Sequence, residues 1–156
     1  MEKEDPKSEE IIEMITSAFG SVILGNGIGL FQAQAIDDYK SEEEEQASRE
    51  SDEKLDWRLI SFSDLNKCNS SLSFFDAEGM RFHLPAFLVA ELKGEYNFGI
   101  EFCLTYLSEY RESQFSLLNT EQRESIRKLL NYMFNLDPEG FFSMDIVSTP
   151  PLMRHF

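Results

Sequence analysis

Apolar residues recur at helical spacing near the start of the chain. Ile11, Ile15 and Ala18 fall at positions i, i+4 and i+7, so their side chains share one face of a helix. Ser8 has the side chain of a helix cap, and Gly20 supplies a left-handed stop. The pattern predicts a first helix between Ser8 and Gly20.

The same spacing predicts several further helices. Their expected positions are near Leu30, after Ser61 or Ser63, from about Asn97, and from about Thr120 to Phe134. The helix that begins near Asn97 carries two apolar stripes, so most of its surface should be covered. The stripes are Ile100, Cys103, Leu104 and Leu107, and Phe98, Phe102, Tyr106 and Tyr110.

A proline interrupts the helical pattern of residues 72–94, LSFFDAEGMRFHLPAFLVAELKG. Asp76 has the side chain of an N-cap for this segment. Pro85 has no N–H, so it would leave the carbonyl of Arg81 without its helical donor. We expect either a kinked helix or two short helices, with Pro85 in the first turn of the second.

The 156 residues contain no internal repeat and no long alternating strand pattern. They predict an all-α fold, a compact single-domain helical bundle of about five to six helices over residues 1–156, with short extended pieces between them. Residues 1–7 and part of 40–54 are expected to be flexible. The apolar, proline-broken segment 138–156 is expected to be a non-helical strap, which packs on the domain or makes a homo-oligomer contact.

Charge is concentrated in the first third of the chain. The whole sequence has 29 acidic and 14 basic residues, a net charge of −15. Residues 1–56 hold 16 of the acids and 5 of the bases, and the acidic zone from Asp37 to Asp56 should be an exposed helix or a partly disordered loop. This charge disfavours direct binding to nucleic acid or to an anionic membrane. The start of the chain lacks an apolar leader, and no apolar run reaches the roughly 20 residues that span a bilayer, so a cytoplasmic location is expected.

Few residues are suited to catalysis or metal binding. Cys68 and Cys103 are the only cysteines and form no CxxC motif, which is typical of buried thiols in a reducing compartment. With only His83 and His155, a multi-histidine zinc site is excluded, and no cofactor is predicted. The glycines at 25, 27 and 29 match neither phosphate-loop pattern and indicate a flexible turn.

Three stretches carry a resemblance to a known family: GIGLFQAQAIDDY through DEKLDW, DLNKCNSSLSFFDAEGMRFHLPAFLVAEL, and LNTEQRESIRKLLNYM. They resemble an uncharacterised bacterial family, one of the domains of unknown function, from residue 11 to about 134. The resemblance implies a small cytoplasmic domain without an established activity, and it assigns no catalytic residue.

The first candidate site is the acidic zone, with Asp37, Asp38, Asp56 and Trp57 as its binding residues. A strong acidic field accelerates association with a basic protein, although it also serves solubility alone. Neighbouring Asp37 and Asp38 differ by about 100° around a helix, so they do not converge on a metal ion. Trp57 is either a core anchor or an interface hot spot.

The second candidate site is a pocket formed by Asp76, Glu78, Arg81 and His83, in which His83 would act as acid or base near neutral pH. The structural alternative is that Arg81 pairs with Asp76 or Glu78 and that His83 bonds locally to cap the kink. The scarcity of catalytic groups favours a non-enzymatic interaction protein with a basic partner over a small metal- or ligand-dependent enzyme.

Overall fold

The computed structural model describes residues 5–106, 108–137 and 156. Within these residues the chain forms eight α-helices and no strand, which confirms the all-α prediction. The helices are α1 Pro6–Ala18, α2 Leu30–Asp37, α3 Glu42–Ser51, α4 Phe62–Lys67, α5 Ala77–Leu92, α6 Glu101–Thr105, α7 Glu109–Gln114 and α8 Thr120–Leu136. Two short 3₁₀ helices, Trp57–Leu59 and Asn69–Ser73, flank α4.

The first helix begins earlier than its apolar pattern suggested. Asp5 rather than Ser8 is the N-cap, and its side chain accepts a hydrogen bond from the backbone N–H of Lys7. Pro6 follows at the first helical position, where its fixed φ is suited to a helix start and no N–H is required. Ser8 is buried instead, and its hydroxyl donates to the carbonyl of Leu92 at 3.2 Å, which joins α1 to the end of α5.

A single central helix, α5, passes through Pro85. Asp76 caps it as predicted, with the Gly79 N–H donating to the carboxylate at 2.8 Å. The alternative of two short helices is wrong. Ten of the sixteen residues of α5 are buried, and α1, α4, α7 and the 3₁₀ helix at Trp57 pack around it. This burial outweighs the cost of a helical proline, about 3 kcal/mol.

The expected long helix from Asn97 is wrong, because the chain forms α6 and α7 with a break between them. Ser108 starts α7 by accepting the N–H of Arg111 at 3.1 Å. One of the two predicted apolar stripes is also not covered, because its aromatic rings are more than half exposed. These rings belong to Phe98, Phe102, Tyr106 and Tyr110.

The buried apolar side chains form one cluster to which α1, α2, α5, α6 and α8 contribute. Trp57 belongs to this cluster at 2% exposure, and its indole N–H donates to the carbonyl of Phe19 at 2.9 Å. Phe156 lies against Phe115, with 5.2 Å between ring centres. The strap and the homo-oligomer contact expected of 138–156 otherwise lie outside the described residues. No described helix is long and apolar enough to cross a membrane.

Candidate functional site

The most acidic element of the fold is α3. Its first turn consists of Glu42, Glu43, Glu44 and Glu45, and Ser41 caps it by accepting the Glu44 N–H at 3.2 Å. Acidic side chains stabilise the positive end of a helix dipole, so this local sequence favours a helix despite its self-repulsion. No residue of α3 is buried. We call the exposed carboxylates of this region, Asp38, Glu42, Glu43, Glu44 and Glu50, the acidic surface.

A buried carboxylate holds the C-terminal end of α3 against α2. Asp52 is 6% exposed and accepts the backbone N–H groups of Phe31 at 2.7 Å and Gln32 at 3.1 Å. Gly29, the residue that precedes α2, has no side chain to cap these donors, so Asp52 takes that role from 20 residues away. Burial raises the pKa of Asp52, and the two backbone hydrogen bonds lower it by less.

The basic residues of the acidic zone mostly contact backbone carbonyls. Arg49 donates to the carbonyls of Gly27 at 3.2 Å and Gly25 at 2.8 Å. Lys54 donates to the carbonyls of Glu50 at 3.2 Å and Asp52 at 2.9 Å. Residues 37–56 contain ten acids and three bases, a net charge of −7. Arg49 therefore anchors α3 to the glycine turn, whereas Lys54 bonds only to the end of α3 itself. The third base, Lys40, lies 4.0 Å from the carboxylate of Glu44.

The glycine turn before α2 is tightly packed, whereas its composition suggested a flexible turn. A Cβ at Gly29 would lie 2.1 Å from a carboxylate oxygen of Asp52, and one at Gly27 would lie 2.7 Å from the amide nitrogen of Gly79. Asp76 also accepts the N–H of Ile28 at 3.0 Å. The glycines therefore allow a close approach of the turn to α3 and α5.

An exposed aromatic ring stands at the turn between α2 and α3. Tyr39 is 96% exposed and has a φ of 57°, the left-handed conformation in which glycine is usual. The N–H of Lys40 donates to the carbonyl of Ala35 at 3.0 Å, which closes the end of α2 around Tyr39. The spacing of Phe31, Ala35 and Tyr39 at i, i+4 and i+8 predicts that Tyr39 shares the apolar face of the second helix, and this prediction is wrong because α2 ends at Asp37. The available signal was a tyrosine directly after a helix end, where glycine or asparagine is expected.

The predicted members of the acidic site have different surroundings. Asp38 is exposed and Asp37 is half-buried at the end of α2. The carboxylate of Asp56 accepts a hydrogen bond from the Nε of Arg58 at 2.8 Å, and this bond holds the pKa of Asp56 below its usual range. Trp57 is buried, so its assignment as an interface residue is corrected: its ring is a core anchor, with the Arg58 guanidinium 5.6 Å from the ring centre.

His83, the central residue of the second candidate site, is fully buried. Its ring stacks on Phe75 at 4.4 Å between centres and meets the edge of Phe82 at 4.9 Å. Its Nδ1 lies 2.7 Å from the carbonyl of Gly79, one helical turn back, so this nitrogen carries a proton. Burial lowers the pKa of His83 to about 4, so the ring is neutral at physiological pH. His83 bonds locally within α5, as the structural alternative proposed.

The other three residues of that candidate site do not join His83 in a pocket. Asp76 is exposed and accepts backbone N–H groups, and Glu78 and Arg81 are half-buried. Of four cavities in the described part of the chain, one is lined by Asp76, and none of the four is lined by Glu78, Arg81 or His83. The expected ion pair between Arg81 and Asp76 or Glu78 is not formed among these residues. Within 5–106 and 108–137, no three His, Cys, Asp or Glu side chains are grouped as metal ligands would be.

Comparison with known proteins extends the resemblance seen in the sequence. A family model, described as a family of unknown function, DUF6714, matches residues 7–148. No curated protein and no solved structure matches the chain. The matched range contains both candidate sites.

Proposed function

We propose that this chain, which belongs to the DUF6714 family, is a non-enzymatic cytoplasmic protein that binds a basic protein partner through its acidic surface. The observation that carries the proposal is the anchoring of α3, a helix that buries none of its residues. Solubility requires charge but no fixed arrangement of that charge. Polar contacts from Asp52 and Arg49 nevertheless attach α3 to α2 and to the glycine turn.

A fixed arrangement lowers the cost of binding. Side chains and segments that become ordered only on association cost free energy, roughly 0.5–1.5 kcal/mol for each flexible side chain. Because α3 is already held in place, a partner would meet carboxylates on a pre-formed helix. The net charge of −7 over residues 37–56 would also accelerate encounter with a basic surface at low ionic strength.

Tyr39 supplies the apolar contact that such an interface needs. Tyrosine is enriched among the residues that dominate binding energy, and its ring face attracts arginine or lysine through a cation–π interaction. Folding alone would favour glycine at this position, because φ is positive and the ring contributes almost no burial. A tyrosine here is therefore better explained by a contact outside the chain than by stability.

The experiment compares two variants of equal net charge. Proteins of a native lysate are captured on the immobilised chain at low salt, identified, purified and titrated against each variant. The first variant, E42Q/E43Q/E44Q, removes three carboxylates from the acidic surface. The matched control, E10Q/E13Q/E121Q, removes three exposed carboxylates from α1 and α8.

We expect a basic protein to bind the unmodified chain and the control alike, and to lose at least about tenfold in affinity to the first variant, since three charge contacts are removed. Binding should weaken steeply with salt. Tyr39→Gly should also weaken it without lowering the free energy of unfolding. If no basic protein is captured, or if both charge variants bind it equally, the proposal is wrong.

A further inference from the structure

A small, mainly apolar cavity lies on a part of the fold that is separate from the acidic surface. It has a volume of about 240 Å³ and lies between α1, α5 and the 3₁₀ helix at Trp57. Its walls include Ile12, Trp57, Phe62 and Val89, so most of its surface is apolar. The volume is below the ~300–1,000 Å³ typical of sites for drug-sized ligands, so it is suited to a smaller molecule.

The polar groups of this cavity are mainly cationic. Arg58 and Lys93 line it, and no carboxylate is among its lining residues. Three other cavities in the described part of the chain are each lined by at least one acid, such as Glu91, Asp64 or Asp76. The chain as a whole has 29 acids and 14 bases, so the positive charge at this cavity is opposite in sign to the net charge of the protein.

Both cations have donors available for a ligand. The ammonium of Lys93 makes no hydrogen bond or ion pair with any described residue. Arg58 donates its Nε to Asp56 at 2.8 Å and its Nη2 to the carbonyl of Gly20 at 3.3 Å. Its Nη1 has no partner among the described residues, so it can donate to an anion at the rim.

We propose that this cavity binds a small organic anion, a carboxylate with an aromatic or branched apolar body. The body would occupy the apolar walls beside Trp57, and the carboxylate would face Lys93 and the Nη1 of Arg58. Charge complementarity selects an anion over a neutral or cationic molecule of the same shape. This site is separate from the acidic surface, so either proposal can fail without the other.

Three probes of nearly identical shape test the charge. Phenylacetate, phenylacetamide and phenethylamine are titrated against the full chain, and binding is followed by fluorescence and by the indole N–H signal in proton–nitrogen NMR. Trp57 is the only tryptophan, so both signals report on this cavity without assignment. We expect phenylacetate to bind about fivefold more tightly than phenylacetamide, the ratio for an ion pair worth about 1 kcal/mol, and phenethylamine to bind most weakly.

Lys93→Met keeps the apolar stem and removes the ammonium. It should weaken phenylacetate binding about fivefold and leave phenylacetamide binding unchanged. Lys128→Met, an exposed lysine on α8 outside this cavity, is the matched control and should change neither. The proposal is overturned if phenylacetate causes no saturable change at Trp57, if the acid and the amide bind equally, or if both lysine variants behave alike.

Discussion

Removing the carboxylate of Asp52 should strongly destabilise the fold. In Asp52→Ala, the N–H groups of Phe31 and Gln32 lose the oxygens that lie 2.7 and 3.1 Å away. The buried N–H of Gln32 costs about 1–3 kcal/mol without an acceptor, and the part-buried N–H of Phe31 costs less. Relief of the desolvation of the buried carboxylate offsets part of that cost. We expect the free energy of unfolding to fall by about 2–4 kcal/mol, a large fraction of the roughly 5–15 kcal/mol of a typical domain.

Gly29→Ala should break the same anchor from the opposite side. The φ of Gly29 is −78°, which any residue adopts, so the cost is steric rather than conformational. The new Cβ would lie 2.1 Å from an oxygen and 2.6 Å from the Cγ of Asp52, so the carboxylate must move away from its donors. We expect a loss of about 1–3 kcal/mol from overpacking.

The double variant separates this reasoning from a general loss of stability. Once Asp52 is alanine, the added methyl at Gly29 meets no carboxylate but still lies 2.9 Å from the Cβ of residue 52. Most of the clash is then relieved, so the two losses should sum to at least about 1 kcal/mol more than the loss in the double variant. The free energy of unfolding of the two single variants and of the double variant is measured by urea unfolding, followed by Trp57 fluorescence and by far-ultraviolet circular dichroism. Ser51→Ala, at an exposed position of α3, is the control. Additive losses, or less than about 1 kcal/mol for Asp52→Ala, would refute the role assigned to this carboxylate.

Two further predictions concern buried titratable groups. Burial lowers the pKa of His83 from 6.5 to about 4. Between these two pH values the unfolded chain binds a proton at His83 that the folded chain does not bind. The contribution of His83 to the free energy of unfolding is therefore complete above pH 6.5 and declines as the pH falls to about 4. His83→Phe should reduce the pH dependence of the urea midpoint between pH 6.5 and 4.5, and an unchanged dependence would contradict this. Burial raises the pKa of Cys68 to about 12 and that of Cys103 to about 11, so at pH 8 a thiol reagent should modify both only as fast as the fold opens. Rapid modification of either thiol in native buffer would show that it is accessible.

Local signals in the sequence determined the fold class and several helix boundaries. Asp76 caps α5 and Asn119 caps α8 through hydrogen bonds that span three residues, so a short stretch of sequence contains everything that these caps need. The acidic run from Glu42 to Glu45 is also explained locally, because it follows a capping serine and lies at the positive end of a helix. The concentration of charge before residue 57 was likewise visible without a structure.

Tertiary contacts decided what the sequence pattern left open. Pro85 remains inside a helix because neighbouring helices bury that helix on most sides, and Trp57 faces the core because its indole N–H reaches the carbonyl of Phe19, 38 residues away. Asp52 and Phe31 are 21 residues apart, so periodicity could not reveal that a carboxylate after one helix caps another. The sequence by itself determined an acidic, all-α chain, whereas long-range polar contacts decided that its most acidic helix is held in a fixed position.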